Sequence, residues 1–165
     1  MRTITITLKR DEIMNDVISV AHITGRRLNV AGAEEKASDI QTPEEGASLY
    51  VVARAMQEGL SMLRKECGRY LNVGRLVDDN TLENVTGDFS LVLDMPDRWN
   101  FGATSHLTSL ANAYVRDWCV YSFFEKTNPE EASTYLSKAN LSLSSIKPTL
   151  EMRTSPIRRK VGYLY

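Results

Sequence analysis

The sequence predicts a mainly α protein: a four-helix, bundle-like domain with a small β element and an extended C-terminal arm. Apolar residues recur every three or four positions over four separate stretches, a period of two marks only two short segments, and the residues after Pro148 keep neither period. With 165 residues, 42% of them hydrophobic and 25% charged, the composition is that of one ordinary globular domain. The helical domain spans 1–148 and the arm 149–165.

The first segment, Arg2 to Leu8, sets Ile4, Ile6 and Leu8 on one face and Thr3, Thr5 and Thr7 on the other, the pattern of a half-buried strand. Asp11 is placed to cap a short helix over 11–24, with Ile13, Val17, Val20 and Ala21 at helical spacing and Gly25 as its left-handed stop. Residues 26–41 turn to Gly, Ala, Asn, Ser and charge, and read as a long connection.

At Thr42-Pro43-Glu44-Glu45 a threonine N-cap, a proline in the first turn and a back-reaching glutamate predict a helix start. Leu49, Val52, Ala53, Met56, Leu60, Leu63, Cys67 and Tyr70 carry this helix over 43–71, a length of about 40 Å at 1.5 Å per residue. Asp88 to Met95 alternates again, with Phe89, Leu91, Leu93 and Met95 on one face. Leu82 to Val85 is placed to join it as a hairpin, so the β element is the N-terminal strand plus a strand or hairpin over 82–95.

A third helix over 104–127 carries Leu107, Leu110, Ala111, Tyr114, Trp118 and Tyr121 on one stripe. Phe123, Phe124, Val115 and Val120 lie off that stripe, which makes the helix apolar around more than half its circumference and places it centrally or at an interface. Asn128-Pro129-Glu130-Glu131 repeats the cap chemistry of 42–45 and opens a fourth helix, stopped by Pro148. The arm holds Arg153, Arg158, Arg159 and Lys160 against Glu151 alone, together with Tyr163 and Tyr165. Arginine with tyrosine is the composition enriched where protein surfaces meet.

The formal net charge of −1 argues against a surface that is an electrostatic trap for nucleic acid throughout. No stretch is apolar enough to span a membrane or to form a signal-peptide core, so a cytoplasmic protein is expected. Cys67 and Cys119 fall inside predicted helices and read as reduced, packed thiols. The only imidazoles, His22 and His106, stand in no recognisable catalytic motif, and the glycines form no phosphate-binding loop. Glu34-Glu35, Asp78-Asp79 and Glu130-Glu131 read as solvated charge. No metal or cofactor is expected.

The L-x-x-V-A-x-x-M spacing from Leu49 to Met56, the small β element and the aromatic helix L-A-N-A-Y-V-R-D-W-C-V-Y-S-F-F from Leu110 to Phe124 form a layout that continues into a further helix and a tail with Arg153 and Pro156-Ile157-Arg158-Arg159. Over residues 43–165 that layout resembles the head–tail connector, or adaptor, proteins of tailed bacteriophages and prophages. The resemblance implies a non-enzymatic virion structural protein located at the virion neck. It implies a homo-oligomeric ring, commonly of twelve copies, between the portal and the tail or neck proteins, with DNA passing but not specifically bound. It also implies that the arm and β element reach adjacent subunits.

The residues themselves fit such contacts. Strand edges invite pairing, which singles out Ile4 and Ile6, and Arg153, Arg158, Arg159, Lys160, Tyr163 and Tyr165 supply charge and aromatic anchors. A competing class is a helical regulatory or nucleic-acid-binding module that uses the basic tail; its binding would weaken steeply with salt. A third, an enzyme, requires a cleft gathering His106 or the paired carboxylates.

Overall fold

The computed structural model describes residues 1–30, 32, 37, 40, 46–72 and 87–155. Strand β1 (Arg2–Leu8) leads into helix α1 (Arg10–Val30); α2 (Gly46–Cys67) follows, then β2 (Phe89–Met95). A 3-10 turn (Phe101–Ala103) opens α3 (Thr104–Thr127), and α4 (Pro129–Leu150) completes the described helices. The chain is mainly helical with one small antiparallel sheet, as the hydrophobic periods predict. The Thr42–Glu45 cap, the Leu82–Val85 hairpin and Arg158, Arg159, Lys160, Tyr163 and Tyr165 lie outside the described residues.

β1 and β2 pair one-for-one from Arg2↔Met95 to Leu8↔Phe89. Their apolar sides coincide: Ile6, Leu8, Leu91, Leu93 and Met95 are all buried, and Ile4 and Phe89 pack partly beside them. α3 lies behind this face and also contacts α1, α2 and α4, so it is the central element that its broad apolar circumference predicts. Leu107, Ala111, Tyr114, Val115, Cys119, Val120, Phe123 and Phe124 are its buried positions. Burying each of the large side chains contributes about 1.5–3 kcal/mol.

Several boundaries differ from the sequence reading, each for a local reason. α1 does not stop at Gly25 but runs through it to Val30. Thr24 and Gly25 are both buried, so packing outweighs the roughly 1 kcal/mol by which glycine disfavours a helix. The left-handed glycine comes later, at Gly32 with φ +82°. α1 begins at Arg10 rather than after an Asp11 cap, and its Arg10 amide donates to Asp88 Oδ1 at 3.3 Å. The residue preceding β2 thus serves the helix that follows β1.

α2 ends at Cys67 instead of continuing to 71. The chain turns at Gly68 to Tyr70 so that Leu71 can bridge to Leu93 on the far side of β2. Asn128 stands before α4 without a side-chain cap bond, so the expected capping box does not form there. Glu131 instead pairs with Arg27 of α1, tying the start of α4 to the end of α1. Pro148 does not stop α4 either, and the helix reaches Leu150. A proline in the last turn removes one donor, while burial of Ile146, Thr149 and Leu150 holds the turn in place.

Candidate functional site

The sheet is narrow enough that the direction of each backbone group can be worked out. On the outer side of β2, Asn72 N–H donates to the Val92 carbonyl at 2.9 Å and Asp94 N–H donates to the Tyr70 carbonyl at 2.7 Å. In an antiparallel strand the N–H and C=O of one residue point to the same side, and successive residues alternate sides. Val92 and Asp94 therefore face residues 70–72, and Leu91 and Leu93 face β1. Their partners Ile6 and Ile4 face back toward them. Thr3, Thr5 and Thr7 consequently aim their amides and carbonyls away from the sheet, along an edge that no described residue pairs.

A second feature lies at the Arg2 end of that edge. Asn100 N–H donates to the Met152 carbonyl at 3.0 Å, Thr154 N–H donates to the Arg98 carbonyl at 3.0 Å, and Trp99 and Arg153 form a bridge between these two bonds. The root of the arm is therefore strapped to the 98–100 turn. The Met1 ammonium meets Asp97 at 2.9 Å and holds its carboxyl below the usual range. The Arg2 guanidinium lies over the Phe101 ring, 5.2 Å from its centroid. The start of β1, the turn after β2 and the base of the arm converge on one end of the molecule.

Of the residues singled out from sequence, Arg153 is exposed at this junction, and β1 is the strand that presents the open edge. Ile6 is only 1% exposed and Ile4 is half-buried, so their side chains pack inward against the core. The groups that β1 leaves unpaired among the described residues are the backbone amides and carbonyls of its threonines. The bridge between Trp99 and Arg153 has no signature in the sequence.

Two grooves flank α3. One, of about 480 Å³, runs between α2 and α3 past Gln57, Ser61, Met62 and Trp118. The Trp118 indole N–H is buried there without a partner among the described residues. The other, of about 230 Å³, lies between α1, α3 and α4 and is lined by Asp16, Ser19, Ile23, Asp117, Tyr135 and Lys138. The Asp117 side chain is 3% exposed, and its Oδ1 accepts from Arg116 Nε at 2.9 Å and from Nη2 at 2.8 Å. Burial, then the nearby Glu131 and Asp117 charges, push the Tyr135 hydroxyl upward.

The sequence reading passed over Asp117. A charged pair set inside an otherwise apolar helix was the signal that pointed to it. Elsewhere along α3 and α4 the hydroxyls of Thr108, Thr127, Ser137 and Ser145 donate to carbonyls of their own helices. Burial raises the Cys67 thiol to about 11 and pushes Cys119 up as well, so neither is a ready nucleophile. Among the described residues no three His, Cys, Asp or Glu side chains gather as a metal site, and no helix is long and apolar enough to cross a membrane.

Comparisons with family models, curated proteins and solved structures give no match for this chain.

Proposed function

We propose that the protein is a structural component of a larger assembly, of the head–tail connector kind found in tailed phages and prophages. In this reading it joins copies of itself and bridges two larger components without catalysing a reaction. The observation that carries the proposal is the strapping of residues 152–154 to the 98–100 turn, beside the start of β1. Fixing the base of a cationic, aromatic arm to a rigid helical body gives the arm a defined point of departure, and this lowers the entropy lost when it docks on a neighbour. Head-to-tail contacts of that sort close into rings when the rotation between copies permits.

Light scattering on the full chain and on a chain ending at Ser155, each at rising concentration, tests the proposal. The full chain is expected to reach masses well beyond a dimer, and the shortened one is not. Equal masses for the two would overturn it. Salt-sensitive DNA or RNA binding that is lost in Arg158→Ala/Arg159→Ala, with no assembly, would favour the nucleic-acid module instead.

A further inference from the structure

The edge of β1 that no described residue pairs carries a sequence symmetry of its own. Thr3-Ile4-Thr5-Ile6-Thr7 reads the same in both directions about Thr5. Two antiparallel copies centred there set Thr3 against Thr7, Thr5 against Thr5 and Ile4 against Ile6. The outward residues are the three threonines, so each facing pair can exchange both of its backbone hydrogen bonds, about six across the interface. The side-chain faces also agree, with threonines continuing the polar face and isoleucines the apolar one.

We infer that β1 pairs with β1 of a second copy across a two-fold axis at Thr5, making one continuous four-stranded sheet.

Proteins that keep a sheet edge solitary guard it with proline, lysine, a bulge or an inward charge. β1 has none of these: the register with β2 is unbroken over all seven residues, and the strand interior is threonine and isoleucine. The cations flanking it are engaged within the chain. Lys9 pairs with Glu12 at 2.7 Å, the Met1 ammonium meets Asp97, and Arg2 lies over Phe101. Like charge therefore does little to push a second copy away. Threonine and isoleucine are also among the side chains that best fit cross-strand neighbours. An isologous contact of this kind closes at two copies. It uses no residue after Lys9, so it is independent of the arm and of the connector proposal, and a chain ending at Ser155 keeps it.

Sedimentation equilibrium over a range of concentrations, combined with register-specific cross-linking, tests the pairing. At concentrations below those at which the arm drives larger assembly, the full chain is expected to form a dimer that dissociates on dilution. Thr5→Pro removes an outward amide without touching the ladder to β2, and Thr5→Lys adds the missing guard; both are expected to be monomeric at the concentrations where the parent is dimeric. With a short thiol cross-linker, Thr5→Cys is expected to join to itself at least tenfold faster than Thr3→Cys, whose symmetry mate lies about 13 Å away. In an equal mixture of Thr3→Cys and Thr7→Cys, the half of the dimers that carry one of each is expected to join as fast as Thr5→Cys. The native Cys67 and Cys119 are buried and stay silent. A chain that is monomeric throughout, or a dimer that persists in Thr5→Lys, or cross-linking indifferent to register would each overturn the inference. Should Thr5→Pro fail to fold, Thr5→Lys and the cross-links decide.

Discussion

The Trp99 indole N–H donates to the Thr149 carbonyl at 3.0 Å, joining residues fifty positions apart in the chain. Trp99 is 1% exposed and sits edge-on to Phe101 with centroids 5.2 Å apart. This contact fixes the last turn of α4 to the turn after β2, and so fixes the base of the arm. Trp99→Phe removes the donor and part of the buried ring. The expected cost is about 2 kcal/mol in chemical denaturation, and faster amide exchange at Asn100 and Thr154 is the local sign.

Gly59 lets α2 approach α3 closely, since a Cβ placed there would lie 3.3 Å from Trp118 Cδ1. Gly59→Val puts a branched side chain into that contact and is expected to cost about 1–3 kcal/mol despite the gain in helix propensity. Trp118 is displaced toward the groove beside Met62, and a shift in tryptophan emission reports the movement.

Arg116 and Asp117 form an asymmetric pair, with side chains 37% and 3% exposed. Arg116→Ala strands a buried carboxylate and is expected to cost about 3 kcal/mol. Asp117→Asn leaves a guanidinium that water can reach, and is expected to cost nearer 1 kcal/mol. Thermal melts of the two single variants and the double variant measure the difference and the coupling.

Alkaline pH destabilises this core. Burial raises the Cys67 thiol from 9.0 to about 11 and the Tyr114 hydroxyl from 10.0 to about 12, because the folded chain holds the neutral forms. Groups raised on folding stabilise fully below their unfolded values and lose that contribution as pH climbs through the folded ones. The melting temperature is expected to be flat from pH 7 to 8.5 and to fall between about pH 9 and 12. In Cys67→Ser, measured against its own value at neutral pH, the fall is expected to be shallower but to begin at the same pH, because the buried Cys119 thiol is raised as well.

The third helix and both strands were legible because their periods are long and uninterrupted. Ile6 and Leu8 bury the side that their spacing names, and Leu107, Ala111 and Tyr114 are buried together with the off-stripe Val115, Val120, Phe123 and Phe124, while Leu110, Trp118 and Tyr121 stay half-buried. Helix ends were less legible wherever a distant residue decided them. Gly25 carries the local signature of a stop, yet it is packed inside α1. Glu131 carries that of a capping box, yet it pairs with Arg27. Pro148 signals an end that the burial of Leu150 postpones. The strand itself is legible in the sequence, but the side chains of Ile4 and Ile6 face the core. Only the bonds from Asn72 to Val92 and from Asp94 to Tyr70 assign the outward groups to the threonines.

The pairing proposed for β1 falls on its outward backbone, at Thr3, Thr5 and Thr7. Amide hydrogen exchange on the full chain at low and high protein concentration reads that backbone directly. The Ile4, Ile6 and Leu8 amides, bonded to β2, are expected to be protected at both concentrations, while those of Thr3, Thr5 and Thr7 slow at least tenfold at the higher one. Threonine amides that exchange at the same rate at both concentrations would contradict it.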